Sequence, residues 1–89
     1  MKIDHLIIMA NQIGDFFKSY PDQSQAKKDI AQHIARFWAL SMRQQILKHV
    51  LDKKGEGLEV IVSDAISEHL NNQDVKLHLQ HAENHYLGQ

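Results

Sequence analysis

The clearest helical pattern in the sequence lies in residues 22–38, DQSQAKKDIAQHIARFW. Its apolar side chains recur every three or four positions, which is the spacing of one face of an α-helix: Ala26, Ile30, Ile34, Phe37 and Trp38. Asp22 and Gln25 have the spacing of a capping box at a helix start, with aspartate in place of the usual serine or threonine. We therefore predict an amphipathic helix that begins just after Pro21.

The residues before Pro21 predict a first amphipathic helix. From about residue 4 to residue 20 the apolar side chains again repeat at helical spacing: Leu6, Met9, Ala10, Ile13, Phe16, Phe17 and Tyr20. An antiparallel hairpin through Pro21 would pair the end of this helix with the start of the next, and would therefore keep Phe16 away from Phe37. A third helix is then needed to cover Phe16 and Phe17.

The second helix is expected to end near residue 40, although residues 23–54 contain no proline or glycine. One helix over that range would be about 48 Å long, too long for a compact domain with a radius of gyration of about 12 Å. Past the second helix the apolar stripe also moves, to Met42, Ile46, Leu47 and Val50. Ser41 and Gln44 again have capping-box spacing, so we predict a bend at residues 39–41 with Ser41 starting the third helix.

Gly55-Glu56-Gly57 predicts the end of the third helix, because glycine readily adopts the positive φ angles of a helix C-terminus. A fourth helix is expected from Leu58 to about Leu70, before Asn71-Asn72. The apolar residues of the last segment favour a short fifth helix, or less strongly a strand: Val75, Leu79, Ala82 and Tyr86. The sequence thus predicts an all-α bundle of four to five helices, with a helical domain at 1–72 and a His-rich C-terminal helix or tail at 73–89.

Composition limits the functions open to this chain. With 89 residues it can fill one small core, which leaves little room for a deep substrate cavity. It has no cysteine, which excludes disulfides, iron–sulfur ligation by this chain and thiol catalysis. No apolar run is long enough for a membrane span or a signal peptide. We expect a soluble cytoplasmic protein that does not bind membranes. We also expect that it has no catalytic residues and that it holds no cofactor.

Seven histidines are unusual in so short a chain, and three of them could chelate a metal ion. On a helix, His78, His81 and His85 would lie within one arc, and imidazoles one turn apart can share a transition metal. The simpler interpretation is that they are solvated histidines beside a weak apolar stripe. A small metal-binding protein is therefore the alternative function, with these three as weak candidate ligands.

A DNA-binding role is the less favoured alternative. The second and third helices could imitate a helix-turn-helix motif, with basic side chains as phosphate contacts: Arg36, Arg43, Lys48, Lys53 and Lys54. The formal net charge of −1 argues against this, since nucleic-acid binding depends on a basic surface. We expect no nucleic-acid partner.

The aromatic residues favour a protein-docking surface, because a small helical domain cannot bury so many large apolar groups completely. Amides beside an apolar patch can add directional hydrogen bonds at its rim, and an arginine can pair with a partner's carboxylate. The predicted partner-binding residues are Asn11, Gln12, Phe16, Trp38, Met42 and Arg43. The same apolar face can also form a homodimer when the chain is isolated.

Four short stretches occur together in one order within about residues 4–70: MANQIG at 9–14 with FF at 16–17, IA-x-HI-x-x-FW at 30–38, SMR at 41–43 and GEGL at 55–58. Their order and spacing resemble the delta subunit of cytoplasmic NAD-dependent formate dehydrogenase. The resemblance implies a non-catalytic accessory subunit that helps in the assembly, maturation or stabilisation of a molybdenum- or tungsten-dependent complex. It also implies that the pterin–metal centre, iron–sulfur clusters and flavin belong to the larger subunits, which would be its partners.

Overall fold

The computed structural model describes residues 1–70, which form four α-helices. They are α1 (Ile3–Phe17), α2 (Gln23–Phe37), α3 (Leu40–Lys53) and α4 (Val60–Ala65). The helical path continues beyond α4 through residues 66–70 as a wider, π-helical turn. The predicted all-α bundle is confirmed. The fifth helix and the segment 73–89 lie outside the described residues.

The start of α2 follows the local signal in the sequence. The Asp22 side chain accepts a hydrogen bond from the backbone N–H of Gln25 at 3.1 Å, as the capping-box spacing predicts. Gln23 stabilises the preceding turn, because its side-chain amide donates hydrogen bonds to the backbone oxygens of Lys18 at 3.0 Å and Tyr20 at 2.8 Å. The two helices are therefore joined by a turn with its own hydrogen bonds.

The predicted break between α2 and α3 is confirmed, but the predicted role of Ser41 is wrong. Trp38 and Ala39 are both extended, with ψ angles of 143° and 152°, and α3 begins at Leu40 without a side-chain cap. Ser41 is already inside the helix. The chain turns earlier than the capping spacing suggests because Trp38 leaves the helix and enters the core. Arg43 then bridges the bend by donating to the backbone oxygen of Ala35 at 2.8 Å.

The glycine-rich turn ends α3 as predicted. Lys54, Gly55 and Gly57 have φ angles of 57°, 71° and 88°, in the region that side chains other than glycine rarely adopt. At Gly55 a Cβ would also collide with the side chain of Ser63. This turn reverses the chain, so that α4 packs against α1 and α2 in the core.

The core draws side chains from every helix, and it is entirely apolar among the described residues. α1 packs against the other three helices, and α2 packs against α4. The core members are Leu6, Ala10, Ile30, Ile34, Trp38, Ile46, Leu47, Val50, Val62, Ala65, Ile66 and Leu70. Within residues 1–70 no helix combines the length and apolar character needed to cross a membrane.

The end of α1 contacts α2 at both of its ends. The ring of Phe17 lies 6.5 Å from that of His33, so the end of α1 reaches the second half of α2 as well as its start, where Gln23 binds the backbone of Lys18. The third helix does not cover Phe16, which is 70% exposed. The expectation for Phe16 is wrong because α1 faces the core with Leu6, Ala10 and Gly14, and Phe16 lies off that face.

Candidate partner-docking surface

An apolar groove lies between the aromatic end of α1 and the second half of α2. It has a volume of about 440 Å³, and among the described residues that line it His33 is the only titratable one. Trp38 is nearly buried in the groove at 7% exposure, whereas Phe16 projects at its rim. The lining residues are Met9, Gln12, Ile13, Phe16, Phe17, His33 and Trp38. A groove of this composition suits apolar contact with another molecule.

A row of rings, which we call the aromatic row, runs across this surface from α1 to α2. Phe16 and Phe17 meet edge to face with centroids 4.9 Å apart, and His33 lies 4.7 Å from Phe37. Phe17 and His33 connect the two pairs. The row ends in two phenylalanines, Phe16 and Phe37, that are 70% and 71% exposed. Large apolar groups held in water at fixed positions are typical of protein interfaces.

The structure brings three of the six predicted partner-binding residues together, since Gln12, Phe16 and Trp38 all line the groove. Met42 is half-buried and packs against the core. Arg43 bridges the α2–α3 bend, and Asn11 holds a turn of its own chain. Their role in partner binding stays a prediction.

Phe37, which the sequence interpretation left out of this surface, is one of its two most exposed rings. Its spacing from Ile30 and Ile34 is that of a core position, so periodicity alone could not separate it from them. The one sequence signal for the exposure of Phe37 is its place in the last turn of α2, just before the predicted bend, where the helix ends and need no longer pack on the core.

Asn11 connects α1 to the start of α4. Its Nδ2 donates to the backbone oxygen of Gly57 at 3.0 Å, and its Oδ1 accepts from the backbone N–H of Glu59 at 2.9 Å. Glu59 is the residue that precedes α4 and has no side-chain cap of its own. One side chain therefore satisfies two backbone groups of the turn, 46 and 48 residues away.

Replacing Asn11 with alanine is expected to lower the free energy of unfolding by about 1–3 kcal/mol, because two backbone groups lose their partner. Urea denaturation followed by circular dichroism measures the change. Gln12→Ala is the matched control, since the Gln12 side chain is exposed and we expect its loss to cost less than about 0.5 kcal/mol. Equal effects of the two substitutions would contradict the bridging role of Asn11.

Two carboxyl groups, Asp15 on α1 and Glu59 before α4, meet at the same junction. The Lys18 ammonium, 3.0 Å from Asp15, holds the pKa of the Asp15 carboxyl below its ordinary value, assisted by a hydrogen bond with Glu59. The same hydrogen bond with Asp15, together with partial desolvation, raises the pKa of Glu59. Asp15 therefore keeps its charge and Glu59 retains its proton to higher pH.

We expect Glu59→Gln to raise the melting temperature at pH 7 and to have little effect in acid. The pKa of Glu59 is higher in the folded than in the unfolded chain, so its contribution to stability is present below the unfolded pKa and lost as pH rises through the folded pKa. Glutamine at position 59 can keep the hydrogen bond with Asp15, and it removes the repulsion between the two carboxylates. Calorimetry at pH 7 and at about pH 3.5, below the ordinary pKa of glutamate, measures this, with the exposed Glu56→Gln as control. If Glu59→Gln stabilised the chain equally at both pH values, the raised pKa of Glu59 in the folded chain would be contradicted.

Residues 5–66 match the family described as NADH-dependent formate dehydrogenase delta subunit, FdsD. The chain belongs to this family. No match was found among the curated proteins or among the solved structures. The resemblance noted in the sequence is thereby confirmed at the level of the family.

The part of the chain that matches the family contains the described groove residues and both ends of the aromatic row. His78, His81 and His85 lie beyond the matched range and outside the described residues. Within residues 1–70 no group of three or more histidine, aspartate or glutamate side chains is placed to hold a metal ion.

Proposed function

We propose that this delta subunit is a non-catalytic accessory chain of a cytoplasmic NAD-dependent formate dehydrogenase, acting by protein–protein binding in the assembly, maturation or stabilisation of the complex. Its partners are the larger subunits, which hold the cofactors, and this chain binds none itself. The observation that carries the proposal is the groove between α1 and α2 with Phe16 and Phe37 exposed beside it. Membership of the delta-subunit family supplies the partner class.

The chemistry of the groove supports binding rather than catalysis. The described groups with clearly shifted pKa values are Asp15, Lys18 and Glu59, and none of them lines the groove. General acid–base catalysis needs a titratable group beside the reacting atoms, with a pKa set by that environment. The groove instead offers aromatic and aliphatic surface with one amide, Gln12, at its edge.

The two exposed phenylalanines have the properties of interface anchors. Aromatic side chains lose little conformational entropy on binding, and central anchors of an interface commonly contribute about 2 kcal/mol or more each. The edge-to-face contact with Phe17 and the tilted ring contact with His33 hold Phe16 and Phe37 in place before a partner arrives. A partner that covers both rings would therefore gain apolar contact at low ordering cost.

The proposal is tested by co-expressing a tagged delta subunit with the larger formate dehydrogenase subunits. The wild-type chain is expected to retain them, and the double variant Phe16→Ala/Phe37→Ala to lose them by at least about a hundredfold in affinity. Leu51→Ala/Val60→Ala is the matched control, because those residues are 57% and 76% exposed but lie outside the groove. Cofactor content and formate oxidation by the larger subunits are measured in the same preparations.

Failure of the wild-type chain to retain any larger subunit, with unchanged cofactor content and activity in its absence, would overturn the accessory role. Equal retention by the groove variant and the control variant would instead place the docking surface elsewhere. In the absence of larger subunits, the exposed surface of the isolated chain is also open to a second copy.

A further inference from the structure

The outward face of α2 carries charges that no other described residue pairs. Asp29 and Arg36 lie seven residues apart, two helical turns, and so project from the same side of the helix. Gln25 donates to Asp29 Oδ1 at 2.9 Å, and neither Asp29 nor Arg36 has an ion-pair partner within residues 1–70. Arg36 is exposed, and it lines a shallow groove together with Asp29 and Phe37.

This face is complementary to itself under a twofold rotation. In a closed symmetric dimer, residue i of one copy meets residue j of the other, and j meets i. If two α2 helices cross antiparallel with their centre between Gln32 and His33, Asp29 of each copy lies opposite Arg36 of the other. We propose that a second copy of this chain docks on the outward face of α2 in this antiparallel arrangement.

The remaining residues of the face agree with this pairing. Gln32 and His33 lie on opposite flanks of the line from Asp29 to Arg36, so each would face its own counterpart in the other copy, amide to amide and ring to ring. A parallel arrangement would instead place Asp29 on Asp29 and Arg36 on Arg36, which costs free energy. The charge order therefore selects the antiparallel dimer.

The contact centres on one helix and on polar side chains, so the dimer is weak and reversible. His33 and Phe37 belong both to this dimer contact and to the aromatic row. If the accessory role proposed above is correct, the dimer and the complex with larger subunits exclude each other. The dimer itself does not depend on that role, because it is formed by the isolated chain.

Sedimentation equilibrium of the full 89-residue chain tests the dimer. We expect the wild type to dimerise, and either Asp29→Arg or Arg36→Asp alone to raise the dissociation constant at least about tenfold, because each creates two like-charge contacts per dimer. The double swap Asp29→Arg/Arg36→Asp restores opposite charges and is expected to recover most of the affinity. High salt is expected to weaken the wild type and the double swap but not the single variants.

Lys48→Asp is the matched control, since it reverses an exposed charge on α3 and should leave the dissociation constant unchanged. Circular dichroism of each variant verifies that α2 is intact. A wild type that stays monomeric up to about 1 mM, beyond the range of most specific homodimers, would overturn the proposal. So would a dimer that both single reversals leave unchanged, or a double swap no tighter than either single variant.

Discussion

Gly14→Val is expected to leave most of the chain unfolded. Gly14 is buried in α1, and a Cβ added there would collide with the γ-methyl group of Val62 on α4. Val62 is fully buried and β-branched, so its side chain has little freedom to move aside. Overpacking by single methylene groups costs about 1–3 kcal/mol, and an isopropyl group at a helix crossing exceeds that range. The cost approaches the whole stability of a domain this small.

Circular dichroism and urea denaturation measure the effect, and a second pair of variants isolates its cause. Gly14→Ala adds only the Cβ and gains about 1 kcal/mol of helix propensity, so we expect a smaller net loss of stability. Val62→Ala removes the opposing methyl groups. The double variant Gly14→Ala/Val62→Ala should therefore be more stable than the sum of the two single effects predicts. A Gly14→Val chain as stable as the wild type would show that α1 and α4 are not in close contact here.

Gly14 and Asn11 together explain part of the family-like sequence at residues 9–14. They are one turn apart on α1, and their contacts are one turn apart at the start of α4: Asn11 binds Glu59, and Gly14 packs on Val62. The sequence placed Asn11 beside an apolar patch and predicted a partner contact. Its observed hydrogen bonds join distant parts of this chain, which no local pattern could indicate.

The predictions that succeeded depend on neighbouring residues, and those that failed depend on tertiary packing. Asp22 caps α2 because its partner Gln25 is three residues away, and the positive φ angles at Gly55 and Gly57 follow from the residue type. The capping role given to Ser41 failed because the burial of Trp38 sets the bend. Periodicity assigned Phe16 and Phe37 to apolar faces, but it could not tell that no other helix covers them.

Trp38 is the residue of the predicted docking set for which stability and binding are hardest to separate. It is 7% exposed, belongs to the core, and also lines the groove that Phe16 and Gln12 border. Its backbone is extended between α2 and α3, so its indole anchors the bend as well as filling space. A residue in this position contributes to the fold before any partner is present.

Trp38→Ala is therefore expected to lower the free energy of unfolding of the isolated chain by about 3–5 kcal/mol, the usual cost of a large aromatic cavity. Trp38→Phe should keep the bend and lose about 1–2 kcal/mol, because much of the volume is retained. Urea denaturation of the isolated chain measures both. Phe16→Ala is the control: its ring is 70% exposed, so its removal should cost less than about 1 kcal/mol. If Trp38→Ala were as mild as Phe16→Ala, the indole would be a partner contact rather than part of the core, and any binding loss in Trp38→Ala could be assigned to the interface itself.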